Sequence, residues 1–331
     1  MTPDTQTPAA GFAVCRDGEP VPAALRGAVV AIGNFDGVHL GHRALIAGAQ
    51  GLARAEGRPA AVLTFEPHPR AYFHPEQSLF RLTPEPVKLA LLRRLGLDGA
   101  HLRRFDGALA AMGAEGFVAD LVRGQLGAGG IVVGHDFRFG RGREGDAAGL
   151  EALCRRHGLS CRIVPAVAWE GRVVSSSGVR AALEAGRVEE ANGLLGHRWW
   201  VAGPIRHGDK RGRTLGFPTA NLDLGPECRL RHGIYAVRAA LPDGRVRDGV
   251  ASYGRRPTFD DGAPLLETHL FDFQGDLYGR PMEVEFAAWI RGEARFESAE
   301  ALTLRMREDA AEARAALALP LPEGVASLIG P

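Results

Sequence analysis

From Val29 to Val167, short apolar runs alternate with segments whose apolar residues recur every three or four positions. The runs are Val29–Ile32, Ala60–Phe65, Ile131–Val133 and Arg162–Val167. They lack the in-and-out alternation of a half-exposed strand, so they predict strands buried on both faces, as in a parallel sheet. The intervening segments Arg43–Glu56, Pro86–Leu95, Ala114–Leu126 and Ala147–His157 predict helices. In the second of these, Val87, Leu91 and Leu95 share one face, which Ala90 and Leu92 widen. Such an order predicts a doubly wound α/β sheet, with its functional loops at the carboxyl ends of the strands.

Beyond about Gly186 the helical spacing gives way to strand-like stretches: Trp199–Ile205, Ile234–Leu241, Val246–Ala251, Leu265–Phe271 and Met282–Ile290. Pro242-Asp243-Gly244 reads as a hairpin turn between two of them. Strands without intervening helices predict a small antiparallel barrel or sandwich. A closing helix follows from Ser298 to Leu317. Ser298 is its cap, and Leu302, Met306, Ala310, Ala313 and Leu317 form its apolar stripe. The boundary falls between Gly186 and Gly196, giving domains over 12–186 and 187–319.

Composition adds limits. A chain of 331 residues, 45% hydrophobic, can fill two cores. A formal net charge of +1 provides no bulk field toward nucleic acid or membrane, and neither is an expected partner. Positive charge is local: Arg138, Arg141 and Arg143 cluster, as do Lys210, Arg211 and Arg213. Met1–Ala10 has neither the basic nor the apolar region of a signal peptide, and no apolar run reaches the ~18 residues of a membrane span. Cys15, Cys154, Cys161 and Cys228 form no C-x-x-C pair and read as reduced cytoplasmic thiols filling the core. Oligomeric state is left open.

The densest chemistry lies in Gly33-Asn34-Phe35-Asp36-Gly37-Val38-His39-Leu40-Gly41-His42, between the first strand and the first helix. A helix N-terminus presents unpaired N–H groups and positive dipole to phosphate. Gly41 lets the backbone approach, and the imidazoles of His39 and His42 can donate to phosphate oxygens. Further loops at strand ends carry Glu66-Pro67-His68-Pro69-Arg70, Gly134-His135-Asp136-Phe137-Arg138-Phe139-Gly140 and Ser175-Ser176-Ser177-Gly178-Val179-Arg180. No strong nucleophile stands among them; the set suits positioning and charge stabilisation of a polyphosphate. Singly, each has a plainer reading: surface histidines, a rigid proline loop, a serine helix cap. Gly140–Gly145 matches G-x-G-x-x-G, but six residues separate it from the strand end at Val133, so it reads as an arginine-bearing loop rather than a dinucleotide fingerprint.

G-N-F-D-G-V-H-L-G-H, P-H-P, V-G-H-D-F-R-F-G and S-S-S-G-V-R resemble the adenylyltransferase half of bacterial bifunctional riboflavin kinase/FMN adenylyltransferases (FAD synthetases), which are H-x-G-H nucleotidyltransferases. The resemblance implies ATP binding over Gly33, Asn34, Phe35, Asp36 and Gly41, with His39 and His42 on its phosphates. It implies that Ser176, Ser177 and Arg180 clamp the triphosphate, and that Asp136 and Phe137 lie near flavin nucleotide and adenosine. Relatives usually read S-S-T-x-I-R, so Ser177 and Val179 replace Thr and Ile; a hydroxyl is kept.

In the second half, Gly212-Arg213-Thr214-Leu215-Gly216-Phe217-Pro218-Thr219-Ala220-Asn221-Leu222 offers a tight loop and then two polar side chains on one face of an extended segment. Thr219 and Asn221 could both meet a Mg²⁺ ion, or be solvated residues of a capped turn. Glu267, in Leu265–Phe271, could take a proton from a substrate hydroxyl, or be an ordinary polar residue on a half-exposed strand; His269 shares its face. Gly203–Lys210 lacks the ending of a Walker loop. H-G-D-K-R-G-R-T-L-G-F-P-T-A-N-L, G-I-Y-A-V, R-R-P-T-F and L-E-T-H-L-F-D-F resemble the riboflavin kinase module of the same family. That resemblance implies a six-stranded antiparallel barrel with a C-terminal helix. It implies ATP over Gly212, Arg213, Gly216 and Pro218, Mg²⁺ at Thr219 and Asn221, and Glu267 as base on the flavin ribityl hydroxyl. Ser252, where relatives often carry Asn, is left without a role. The expected chain turns riboflavin into FMN and FMN into FAD, with ATP as co-substrate twice. An adenylyltransferase with an inactive barrel and a flavin-binding sensor are the alternatives.

Overall fold

The computed structural model describes residues 11–207, 217–255 and 264–330. The chain divides into two compact units: one runs through the described residues to Leu79 and over Lys88–Val174, the other over Phe80–Val87 and from Ser175 onward.

The first unit is built on six parallel strands: β1 (Ala13–Arg16), β2 (Val29–Ile32), β3 (Ala60–Glu66), β4 (Gly99–Arg104), β5 (Gly130–Gly134) and β6 (Ser160–Val164). Their order is β1-β4-β3-β2-β5-β6. The four residues of β2 are all buried, as a strand covered on both faces requires. Helix Leu40–Glu56 covers one face; a Cβ at Gly48 would stand 3.2 Å from Val132 and 3.3 Å from Val164, so the small residue sets a close approach to β5 and β6. Phe117, Val118, Leu121, Leu150 and Cys154 cover the other face, against Ile131, Val133 and Leu63. Burial of each large apolar side chain contributes about 1.5–3 kcal/mol. The chain turns back between β2 and β5, and the loops after these strands flank that switch point.

Three sequence expectations shift. The first helix begins at Leu40, not Arg43, which puts His42 in its first turn. The last strand is Ser160–Val164 rather than Arg162–Val167, an edge strand with Arg162 and Ile163 exposed. β1 and β4 complete a sheet from which the sequence offered only four strands. A two-stranded hairpin, β7 (Ala168–Trp169) with β8 (Arg172–Val173), ends the unit.

In the second unit, helices Ser176–Glu184 and Val188–Leu195 precede an antiparallel sheet. Its strands are β9 (Trp200–Pro204), β10 (Ala220–Leu222), β11 (Gly233–Ala240), β12 (Val246–Arg255), β13 (Pro264–Leu270) and β14 (Pro281–Arg291). The order is β10-β13-β12-β11-β14-β9, and the Arg206 N–H donates to the Asn221 carbonyl at 2.8 Å, joining the end strands into a nearly closed barrel. Tyr235, Val237, Tyr253, Leu266, Val284 and Phe286 are fully buried in its strands. Helix Ala299–Ala318 starts at Ser298, whose Oγ accepts from the Ala301 N–H at 3.1 Å. Its Ala313 and Leu317 pack on Ala236, Val250 and Phe271, on the opposite sheet face. Arg291 grips Asp309 of this helix through Nε at 2.7 Å and Nη2 at 2.6 Å. The carboxylate thus keeps a charged partner where it is buried.

Candidate active sites

In the first unit the loop after β2 makes a cramped turn into helix Leu40–Glu56. Phe35 and Val38 hold positive φ of 49° and 47°, and Gly37 one of 89°. For the two side-chain-bearing residues this backbone costs about 1–2 kcal/mol each, a strain that functional loops often hold. Phe35, Asp36 and Val38 are fully buried, so the loop is packed in place. His39 caps the helix: its Nδ1 accepts from the His42 N–H at 3.3 Å. The two imidazoles stack with centroids 3.8 Å apart and planes 15° apart, and Phe35 lies 5.1 Å from His42. A Cβ at Gly41 would stand 3.1 Å from the His39 ring, so glycine there makes the stack possible.

His42 Nδ1 is buried without a hydrogen-bond partner among the described residues. Burial holds the His42 pKa well below its ordinary value, helped by His39, Lys88 and His68. The ring is therefore neutral at neutral pH, beside a helix N-terminus. Lys88, 1% exposed, donates from Nζ to Glu66 Oε1 at 2.8 Å and approaches Thr64 Oγ1 at 3.4 Å. Thr64 in turn donates to the Asn34 carbonyl at 3.2 Å. Gly33 and Asn34 are half-buried at the start of this loop. Beyond β5, Asp136 is exposed, and Phe137 stacks on the buried Phe139 with centroids 5.5 Å apart. Phe139 and Gly145 pair across Gly140–Gly145, so this stretch is a closed loop ahead of helix Ala147–Arg156.

Ser176, Ser177 and Arg180 belong to the second unit, on helix Ser176–Glu184. The cap is Ser175, whose Oγ accepts from the Gly178 N–H at 3.2 Å; Ser176 is half-buried and Ser177 exposed. Arg180 is buried, and its Nε donates to the Phe80 carbonyl at 2.7 Å. In the barrel, β10 and β13 pair Asn221 with Glu267, and β12 and β13 pair Ser252 with Glu267. Directly opposed residues point to one face, so Asn221, Glu267 and Ser252 form a polar row across three strands. Asn221 is 3% exposed and its Oδ1 has no hydrogen-bond partner among the described residues. Glu267 is half-buried, as is Thr219 just before β10; Pro218 is exposed. Gly212, Arg213 and Gly216, expected to hold nucleotide, lie outside the described residues. So do Lys210 and Arg211, and most of the R-R-P-T-F motif.

Known proteins match the chain in two successive parts. A family model described as FAD synthetase matches residues 21–178, and one described as riboflavin kinase matches residues 195–317. A bifunctional riboflavin kinase/FMN adenylyltransferase of Escherichia coli (strain K12) is 40% identical, over 89% of this chain and 95% of that protein. The protein of that description from Bacillus subtilis (strain 168) is 35% identical, over 86% of this chain and 91% of its own. The chain belongs to the bifunctional riboflavin kinase/FMN adenylyltransferase family. It is an ATP-using transferase that joins both activities in one polypeptide. A crystal structure described as a macrolide-efflux protein from Streptococcus pneumoniae also matches, with TM-score 0.78 and 30% identity, covering 89% of this chain and 97% of that one. Efflux is the description of that protein. Here no helix among the described residues is long and apolar enough to cross a membrane.

His39 and His42 fall within the FAD synthetase match, and Thr219, Asn221 and Glu267 within the riboflavin kinase match. The sequence reading missed Lys88 and Thr64, and named Glu66 in its loop without giving it a partner. One signal for Lys88 was present: it falls three, four and seven residues before Leu91, Leu92 and Leu95, on a face otherwise apolar.

Proposed function

We propose that the two ATP-dependent steps use separate residues, adenylyl transfer in a domain over 12–186 and riboflavin phosphorylation in a domain over 187–319. The observation that carries this is that, among the buried polar atoms without hydrogen-bond partners, one in each unit falls in a family motif. His42 Nδ1 in the first unit and Asn221 Oδ1 in the second are buried without partners among the described residues. Each sits in the motif that the family resemblance gives to ATP. An unmet buried polar atom costs about 1–3 kcal/mol, which bound substrate would recover.

In the kinase step, Glu267 takes the proton of the riboflavin 5′-hydroxyl as its oxygen attacks the γ-phosphorus of ATP, releasing FMN and ADP. Thr219 and Asn221 offer oxygens, the donor type Mg²⁺ prefers, and the unpaired Asn221 Oδ1 fits that demand. Mg²⁺, when bound, offsets the negative charge of the phosphates. Gly212, Arg213, Gly216 and Pro218 are assigned to the nucleotide by their motif.

In the adenylyl step, a phosphate oxygen of FMN attacks the α-phosphorus of a second ATP, and pyrophosphate leaves. The FMN phosphate is already ionised near neutral pH, so no protein base is needed. His39 and His42 stabilise charge moving onto pyrophosphate; Arg180, Ser176 and Ser177 are assigned to the phosphates by their motif. Gly33, Asn34, Phe35, Asp36 and Gly41 shape the nucleotide cradle; Asp136 and Phe137 are assigned to the flavin nucleotide. The four cysteines are free thiols, which suits a cytoplasmic enzyme of small-molecule substrates.

Incubation with riboflavin, ATP and Mg²⁺, with flavins resolved by chromatography over time, tests this reading. FMN should appear first and then FAD, with one pyrophosphate per FAD. Unchanged riboflavin, with conversion only of supplied FMN, would remove the kinase half.

A further inference from the structure

The barrel's half-exposed polar face carries one group that the two reactions above leave without a task. His269 lies two residues beyond Glu267 on β13 and shares its face. Its Nδ1 stands 3.0 Å from the Pro218 carbonyl, and its ring centroid 4.9 Å from that of Phe217. A carbonyl only accepts, so Nδ1 carries the hydrogen of this bond.

The reason for such a bond lies in Pro218. The β10–β13 ladder ends with Ala220 opposite Thr268. Carried one step further, the register would set Thr219 opposite His269. Pro218 has no N–H with which to extend the ladder. The segment that delivers Thr219 and Asn221 would therefore be tied at Asn221 and loose at its entry. The His269 side chain supplies the missing tie from the neighbouring strand, and its ring packs on Phe217 on the entry side of the proline.

We propose that His269 is a positioning residue of the kinase site: it holds the Phe217–Thr219 segment so that the Thr219 and Asn221 oxygens face the nucleotide-bound cation together. It takes no proton from substrate. This inference rests on the assignment of Thr219 and Asn221 to Mg²⁺ and ATP.

Three full-length variants test it: His269→Ala, His269→Asn and Thr219→Ala. The Asn amide can donate from nearly the place of Nδ1, so it should restore what Ala removes. Hydrogen exchange read by mass spectrometry on ligand-free protein is the first measurement. In His269→Ala, amides of residues 219–222 should exchange faster, those of β11 should be unchanged, and His269→Asn should return toward the parent. Kinetics are the second. His269→Ala should raise the Mg²⁺ and ATP concentrations needed for FMN formation about 10-fold or more, as for removal of a group that orients metal ligands. Its pH–rate profile and its adenylylation of supplied FMN should stay those of the parent. Unchanged exchange at 219–222 would overturn the inference, as would a kcat loss with a displaced pH profile and no change in ATP requirement. Thr219→Ala separates the two readings: if its cation requirement is normal, the assignment of the P-T-A-N segment fails, whatever His269 does to exchange.

Discussion

His101 gives the sharpest test of the first unit's packing. It lies on β4, fully buried, with Cys15 and Leu63 directly opposite on the flanking strands. Neither ring nitrogen has a hydrogen-bond partner among the described residues. Burial, and then the charge of Arg103, lower its pKa from 6.5 to about 4. The unfolded chain binds the proton below about pH 6.5 while the folded unit refuses it until about pH 4. Stability is therefore complete above pH 6.5 and is lost as pH falls between those values. At 1.36 kcal/mol per unit, the full loss is about 3 kcal/mol, with about 2 kcal/mol gone by pH 5. His101→Leu removes the titration and two unmet polar atoms, so its first unit should unfold at a urea concentration no lower than the parent's at pH 7.5 and lose about 2 kcal/mol less than the parent on going to pH 5. Urea titrations read by a brief deuterium pulse at one fixed pH, followed on β3 and β4 peptides, isolate this unit from the barrel. Identical pH slopes for parent and variant would refute the argument.

Glu285→Ala should strip the buried Arg198 of its partner at 3.0 Å and cost about 3–5 kcal/mol, seen as a lower unfolding temperature of the barrel with loss of FMN formation. The neutral His42 should gain a proton when triphosphate arrives, because anionic charge raises an imidazole pKa. ATP binding to the adenylyl site should thus tighten from pH 8 to pH 6, with proton uptake visible as calorimetric heats that differ between buffers. Asn221→Ala should leave adenylylation of supplied FMN intact while raising the Mg²⁺ concentration needed by the kinase.

What the sequence showed and hid follows physical lines. β2, β3 and β5 were legible because strands covered on both faces are unbroken apolar runs. β4 was not, because Gly99-Ala100-His101-Leu102-Arg103-Arg104 has the composition of a loop. Its burial is imposed by the strands on either side and by the Arg103–Asp17 pair at 3.2 Å. β10 was legible only as a short extended segment after Pro218; that it is a strand of the barrel depends on its pairing with β13, which the sequence does not show. The grouping of Phe80–Val87 with the second unit was not legible at all. Arg180 bonds the Phe80 carbonyl, Trp199 Nε1 bonds the Leu82 carbonyl at 2.9 Å, and the Phe80 ring packs edge-on against Trp199; these are contacts between residues about 100 positions apart, which a local pattern does not reveal. The family was easier to read than the strands, because the motifs that carry the resemblance, H-x-G-H and P-T-A-N among them, are local. Lys88, buried between elements far apart in the chain, was seen only in three dimensions.

The central claim, two ATP reactions run by separate residues, is tested most directly by crossing two variants. His42→Ala should turn riboflavin into FMN and stop there; Glu267→Gln should leave riboflavin untouched yet adenylylate supplied FMN. An equimolar mixture of the two, given riboflavin, ATP and Mg²⁺, should make FAD again. Loss of both products in either variant alone, with the fold intact, would contradict the account.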